Sequence, residues 1–475
     1  MITETDPGMT VRTPSPKSKL TFHHVTHEER HQIGKKMRQK CPRESHAAWK
    51  APKDRQDPVD LIAESDKGRI PELVPLRHGR MSASPFTFYR GAALNMAADL
   101  AITPNTGIYV QACGDAHLSN FGGFATPERN VIFSINDLDE TLPAPWEWDL
   151  KRLSASFVAA SRNNNIGEDD IKDIVLNCTK SYRENMADFS EMKIMELWNH
   201  SLTSDMMISK LKDPKMIKAG LKRVEKEKGR SRAEEIFPEI VDGPRESKII
   251  KDELPLIYHY EKLPPGEIHP VVAEFFKTYR NSLPPGYKTL LDRFKMKDVA
   301  IKVVGVGSVG TACWVILLMT GDGEPLFLQA KQARKSVLEA YAGNSVFTNS
   351  GERIVNGYRL MQPYSDPFLG WSEVSIGIQY FLRQLRDIKI KLKVEEFDKN
   401  KLNHFADWCG EALALSHARS GDAAMLSGYM GKSDAFDRAI AEFSFAYADQ
   451  NEKDFARLKS AIKSGRIEAS YEEQS

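Results

Sequence analysis

The stretch DVAIKVVGVGSVGTACWVILLMTGDGEPLFLQAKQA (298–333) constrains this chain more than any other segment. Most of the surrounding sequence places its apolar residues at helical spacing. This stretch has β-branched and aromatic runs divided by glycine-containing turns, and it reads as three short strands. Inside it, GVGSVG (305–310) matches G-x-G-x-x-G. A dinucleotide-binding loop of that pattern must open a helix, with an acid for the ribose about 20 residues on. Here TACWVILLM and the turn TGDGEP follow, so the loop joins two strands. That is the arrangement in which a glycine-rich loop covers ATP phosphates in kinases. On this reading Gly305, Gly307, Ser308 and Gly310 are nucleotide-binding positions. Lys331 stands in the apolar run LFLQAKQA and needs an anionic partner, because burying an ammonium unpaired is costly. Nucleotide phosphates together with Glu339, or Glu352 further on, would supply it. The plain alternative is an edge-strand lysine facing solvent.

Around this block the sequence divides into four parts. Residues 1–20 are polar and rich in Pro, Ser and Thr, and read as a disordered tail. Residues 21–295 read as a mainly helical lobe, in which GIYVQACGD (107–115) and NVIFSIND (130–137) are strands and WDLKRLSASFVAASR (148–162) is a helix. GAALNMAADLA (91–101) reads as another helix. Residues 296–390 form a nucleotide-binding sheet lobe, with a further strand in QYFLRQLRDIKIKL (379–392). Residues 391–475 return to helical spacing, notably FADWCGEALALSHA (405–418), and complete the large lobe.

Two segments carry the candidate chemistry. GDAHLSN places Asp115 and Asn120 five residues apart. In the kinase catalytic loop an Asp accepts the substrate hydroxyl proton and an Asn five residues later binds metal. Asp137 ends an apolar strand 17 residues beyond Asn120, where a metal-holding aspartate belongs, and Asp139 and Asp149 lie close behind it. Carboxylates and a carboxamide at strand ends form an oxygen-rich site suited to Mg²⁺. The bland reading of Asp115 and Asn120 is a turn. A binuclear phosphoesterase also uses G-D-x-H, but its further ligand motifs are missing from the sequence. Arg90, in SPFTFYRGAA (84–93), has a rigid fork suited to a phosphate or carboxylate; the alternative is a structural ion pair.

Other features narrow the class. HEERH (27–31) matches a zinc-protease pattern but lies in a polar N-terminal segment and reads as a solvated helix. The 66 basic and 65 acidic residues leave a net charge of +1, against the basic excess of a dedicated nucleic-acid binder. The run KRVEKEKGRSR (222–232) interleaves acids and reads as a solvated face. Five scattered cysteines fit neither a disulfide scaffold nor a cysteine zinc site, and point to a reducing compartment. The longest apolar run, ACWVILLM, falls far short of the roughly 20 residues that span a bilayer, so a cytoplasmic location and no membrane partner are expected.

SPFTFYRGAA, CGDAHLSNFG, NDLDETLPAPWEWDLKRL, VGVGSVGT, LQAKQA, GERIVNGYRLMQPYSDPFLGW, RQLRDIK and ALALSHARSGD, taken in order, resemble the bacterial family called domain of unknown function 2252, from about residue 28 to 465. That name implies no activity. CGDAHLSN, INDLDE and PWEWDL are also similar to the catalytic, metal-loop and G-D-P-x-x-D-L segments of aminoglycoside-phosphotransferase-like kinases. This second resemblance implies Asp115 as catalytic base, Asn120 and Asp137 as metal ligands with Asp139 as a further candidate, and Lys331 on the α/β-phosphates. It implies ATP and Mg²⁺ as cofactors and an unspecified hydroxyl acceptor as partner. Cys113 replaces the usual His, and the order differs: catalytic and metal loops precede the glycine loop and lysine. A circular permutation of a two-lobe kinase-like α+β fold, with a mostly helical large lobe and a small antiparallel-sheet lobe, reconciles that order. A non-catalytic nucleotide-binding protein is the alternative, with a metal-dependent phosphoesterase as a third possibility.

Overall fold

The computed structural model describes residues 24–228, 241–242, 248–253, 257–259, 270–302, 309–375, 377–385, 389–390 and 392–471. It is an α+β chain with small antiparallel sheets. The largest sheet has six strands in the order Gly370–Glu373, Gln379–Gln384, Pro325–Ala333, Cys313–Met319, Lys295–Lys302, Ile257–Tyr258. Every neighbouring pair is antiparallel. The three strands expected between 298 and 333 are therefore present, and Gln379–Gln384 is the fourth.

Side chains alternate across a strand with period two, and this sheet uses the alternation to separate core from cleft. Leu326, Leu328 and Ala330 pack with Ile316, Leu318 and Leu382 against Phe275 and Tyr279 of helix Pro270–Ser282. The intervening residues Gln329 and Lys331 face the other way. The register pairs Gln329 with Arg383 and Lys331 with Phe381, so those two residues share that second face.

The main apolar core is helical. It joins Trp146–Asn163, Glu168–Glu191, Lys399–Ser420, Ala423–Met430 and Ala435–Lys463. Residues from before and after the large sheet build it together, and Ala333, Ile354 and Phe381 reach into it from the sheet side. Helix Trp146–Asn163 is at its centre: every residue from 146 to 161 is buried, charged ones included. Trp146 stacks on Tyr182 with ring centroids 5.7 Å apart. The helix expected over 91–101 is present as Ala93–Leu100, and a separate helix, Pro85–Gly91, precedes it across a break at Ala92, which leaves the helical region at φ −105, ψ 38. His27–Met37, which holds HEERH, is a helix, but it is packed as well as solvated. A Cβ on Gly34 would lie 2.0 Å from the Met425 carbonyl oxygen.

Two further pairings frame the acidic loops. Tyr109–Ala112 pairs with Leu142–Pro145, and Phe121–Ala125 forms a hairpin with Val131–Ile135. Lys389–Ile390 and Leu202–Thr203 extend that hairpin on its two edges. No described helix is long and apolar enough to cross a membrane. All five cysteines are free and buried.

Candidate active site

The GDAHLSN loop leaves strand Tyr109–Ala112 through a turn that only glycine tolerates well. Gly114 has φ +80, and a Cβ there would lie 2.5 Å from the Glu140 carbonyl oxygen. Buried Asp149, in the first turn of helix Trp146–Asn163, accepts the Cys113 and Gly114 backbone N–H groups at 2.6 and 3.0 Å. His417 Nε2 lies 3.1 Å from the same carboxylate, and the Tyr182 hydroxyl lies 2.8 Å from His417 Nδ1. Three helices therefore set this turn.

One turn along the same helix, Arg152 donates to Asp115 Oδ1 through Nε at 2.7 Å and also through Nη2. Asp115 Oδ2 makes no hydrogen bond among the described residues; His117 Nε2 is 3.8 Å from it. One oxygen is anchored and the other is left toward the cleft. Burial pushes His117 down to about 3, against the opposing pull of Asp115, so its ring is neutral at ordinary pH. Asn120 Nδ2 donates to the Asp115 carbonyl at 2.9 Å, which ties the two ends of the loop together.

The second acidic loop follows strand Val131–Ile135. Lys331, nearly fully buried on the large sheet, donates to Asp137 at 3.2 Å and to Asp139 at 3.1 Å. Asp137 and Lys331 are 194 residues apart in sequence. Burial raises the Asp139 carboxyl, and the charge of Asp137 raises it further, against the stabilising Lys331. Asp137 and Asp139 hold the ammonium firmly protonated despite its burial. Arg353, buried in helix Ser350–Met361, clamps the loop backbone by donating to the carbonyls of Asp139, Thr141 and Arg334. Arg383 donates to the Asn136 carbonyl at 3.1 Å and to the Tyr358 hydroxyl at 2.9 Å.

Two adjoining chambers open here. The larger, about 550 Å³, is lined by Arg90, Asn120, Asp137, Gln329, Lys331 and Arg383 among others. The smaller, about 120 Å³, shares Arg90, Asn120 and Asp137 with it and adds Asp115 and Asp139. Asp115, Asn120, Asp137, Asp139, Lys331 and Arg90 are thus brought together. Arg90 lies against the cleft with Glu395 3.7 Å away, and its buried Nε has no hydrogen-bond partner.

The remaining nucleotide-binding candidates are placed differently. Gly305, Gly307 and Ser308 lie outside the described residues. Gly310 has φ +84, and its carbonyl accepts the Ile70 N–H at 2.6 Å; it lines neither chamber. Glu339 does not reach Lys331. It heads a one-turn helix and accepts the Ser336 N–H at 3.1 Å, while Asp137 and Asp139 take the role expected of it.

Sequence reasoning missed Arg152, Arg353, Arg383 and His417. For Arg152 the signal was partial: the helix 148–162 carries several charged residues, and any of them that is buried requires a partner. Arg353 and His417 gave no such signal, because each partner is a backbone carbonyl or a side chain hundreds of residues away.

Among the described residues no group of three or more His, Cys, Asp or Glu forms a candidate metal site. Fold and site together define an α+β protein with a two-chambered cleft lined by both acidic and basic side chains, with a lysine from an antiparallel sheet paired to two aspartates. The chain belongs to the family described as uncharacterized protein conserved in bacteria (DUF2252), whose profile matches residues 69–461. No curated protein and no solved structure matches it significantly.

Proposed function

We propose that this protein is an ATP- and Mg²⁺-dependent phosphotransferase acting on a hydroxyl acceptor, with the parts of a protein-kinase-like fold in circularly permuted order. The observation that carries the reading is the meeting of Lys331 with Asp137 and Asp139 beside Asp115 and Asn120. A lysine from an antiparallel sheet, a metal-type aspartate and an Asp/Asn loop are the parts that phosphoryl transfer needs in one place.

The donor set fits Mg²⁺. Asp137, Asp139 and Asn120 offer only hard oxygen ligands, and Asp139 Oδ1 is buried without a hydrogen-bond partner, an acceptor that a cation would satisfy. Those three residues would hold the ion, whose chemistry there is to neutralise phosphate charge. Lys331 would share that task. Asp115 Oδ2 takes the acceptor's hydroxyl proton as the acceptor oxygen bonds to the γ-phosphorus. The bond from that phosphorus to the β–γ bridging oxygen breaks and ADP departs. Arg152 fixes Asp115 in place for this step. The larger chamber, between the sheet and the acidic loop, is the nucleotide's place on this reading.

A nucleotide-binding role without turnover is the second reading. It is favoured by Lys331 itself, which already neutralises the two carboxylates that a cation would need. The test is thermal melting of the full chain with Mg-ATP, followed by ADP release. A ligand bound only by the folded state adds about 2.7 kcal/mol at a hundredfold excess over Kd. A raised Tm, with its Mg²⁺-dependent part lost in Asp137→Ala, is the expected result. A Tm unmoved by millimolar Mg-ATP would overturn both readings. A shift without ADP release would leave only the second.

A further inference from the structure

We propose that the smaller chamber binds the phosphate or carboxylate group of the acceptor, so that the substrate is an anionic molecule carrying a hydroxyl. The inference rests on the phosphotransferase reading for the word acceptor, and on the chamber's own chemistry for the anion.

Arg69, Arg334 and Lys335 line this chamber on the side away from the larger one. Their donors are occupied in an unusual way. Arg334 donates to the carbonyls of Ser65 and Lys67, and Arg69 to those of Ser65 and Val309. Carbonyl oxygens fix a guanidinium in position but supply no countercharge. The nearest carboxylate to Arg69 is Asp66 at 3.8 Å, and that group already serves Arg77 at 2.5 Å and His78 at 2.8 Å. Arg334 and Lys335 have no ion pair among the described residues. Burial and the neighbouring Arg77 and Arg334 push the Arg69 guanidinium down to about 8, against the opposing pull of Asp66 and Glu140.

Three of the four acids in the same wall already have a cationic partner. Arg152 grips Asp115 and Lys331 bridges Asp137 and Asp139, both from outside the chamber. Glu140 accepts the Val337 N–H at 2.7 Å. Arg90 stands at the junction of the two chambers with an unpartnered buried Nε. A volume of about 120 Å³ admits a group of a few heavy atoms, not a nucleoside. A compact oxyanion seated there would be held by charge-assisted hydrogen bonds beside Asp115, the base that its own hydroxyl must reach.

The test uses inorganic phosphate as probe, titrated calorimetrically into the full chain at low ionic strength. Saturable binding is expected, weakened about tenfold or more by Lys335→Gln and by Arg334→Gln. Lys335 is exposed, so its variant folds even if Arg334→Gln does not; melting curves report which has done so. Absence of saturable binding, or binding unchanged in Lys335→Gln, would overturn the site. The titration is then repeated with a non-hydrolysable ATP analogue and Mg²⁺ at saturation. Retained phosphate binding supports the acceptor assignment. Lost binding would show that the chamber seats the nucleotide's terminal phosphate, and would overturn it. If phosphate binds but the analogue does not, the phosphotransferase reading fails and the acceptor role with it, while the anion site stands.

Discussion

The two acidic loops of the cleft are held by opposite means. The 113–120 loop is fixed from the helical core: Asp149 holds its backbone, Arg152 holds Asp115, and His417 with Tyr182 stands behind Asp149. The 136–140 loop is fixed from the sheet side, by Lys331 and Arg383 on strands and Arg353 on helix Ser350–Met361. The first loop therefore belongs to one body. The second is the seam where the sheet meets the helices. A displacement of the sheet would change the Lys331 contacts and leave Asp115 where it is. On the proposed phosphotransferase reading, that division would keep Asp115 fixed while Lys331, Asp137 and Asp139 answer to what is bound.

The largest expected effect is at Arg152. Arg152→Ala leaves Asp115 without its counterion and removes one of the two donors to the Tyr89 carbonyl, the other being the Ala92 N–H. Breaking a buried pair by removing one partner costs on the order of 3 kcal/mol, read as a lower urea midpoint. If the variant matches wild type, the first loop is not held as described. Lys331→Met should cost less, about 1–2 kcal/mol, because one of the two carboxylates can take up a proton and Arg353 still clamps the backbone. A larger loss than for Arg152→Ala would reverse the comparison.

The loops should also differ in the sign of their pH response. His117 is a base whose folded pKa is depressed to about 3 from 6.5. Its contribution is present in full above about 6.5 and is lost as pH falls toward 3. Asp139 is an acid whose folded pKa is raised above 3.8, so its contribution is lost as pH rises. Unfolding free energies between pH 6.5 and 4.5 should show a shallower slope in His117→Gln, by at most about 1.4 kcal/mol per pH unit. Asp139→Asn should shift the slope the opposite way. Equal slopes in all three proteins would remove the distinction. The smallest effect is at Glu395, half-exposed and 3.7 Å from Arg90. Glu395→Gln should change stability by less than about 0.5 kcal/mol. A larger loss would make the pair with Glu395 the main role of Arg90.

Much of the cleft was legible in the chain. Asp115, Asn120 and Asp137 were marked by spacing and by their positions at strand ends, and Lys331 by its apolar strand. Both signals are local, because strand alternation and turn chemistry act over a few residues. Glu339 was misjudged as the partner of Lys331 for the same reason: nearness in sequence stood in for nearness in space. Arg353 was unreadable, since its partners are backbone carbonyls that any sequence possesses.

By itself the sequence determined the α+β class, the antiparallel strands of 298–333, the central helix over 148–162, and the placing of Asp115, Asn120 and Asp137 at strand ends and turns. Tertiary structure alone decided that Lys331 closes on Asp137 and Asp139, that Arg152 grips Asp115, and that Arg69, Arg334 and Lys335 wall a second chamber. The physical reason is that a buried charge needs a countercharge wherever the chain can bring one. Packing across nearly two hundred residues, not adjacency, supplies it here.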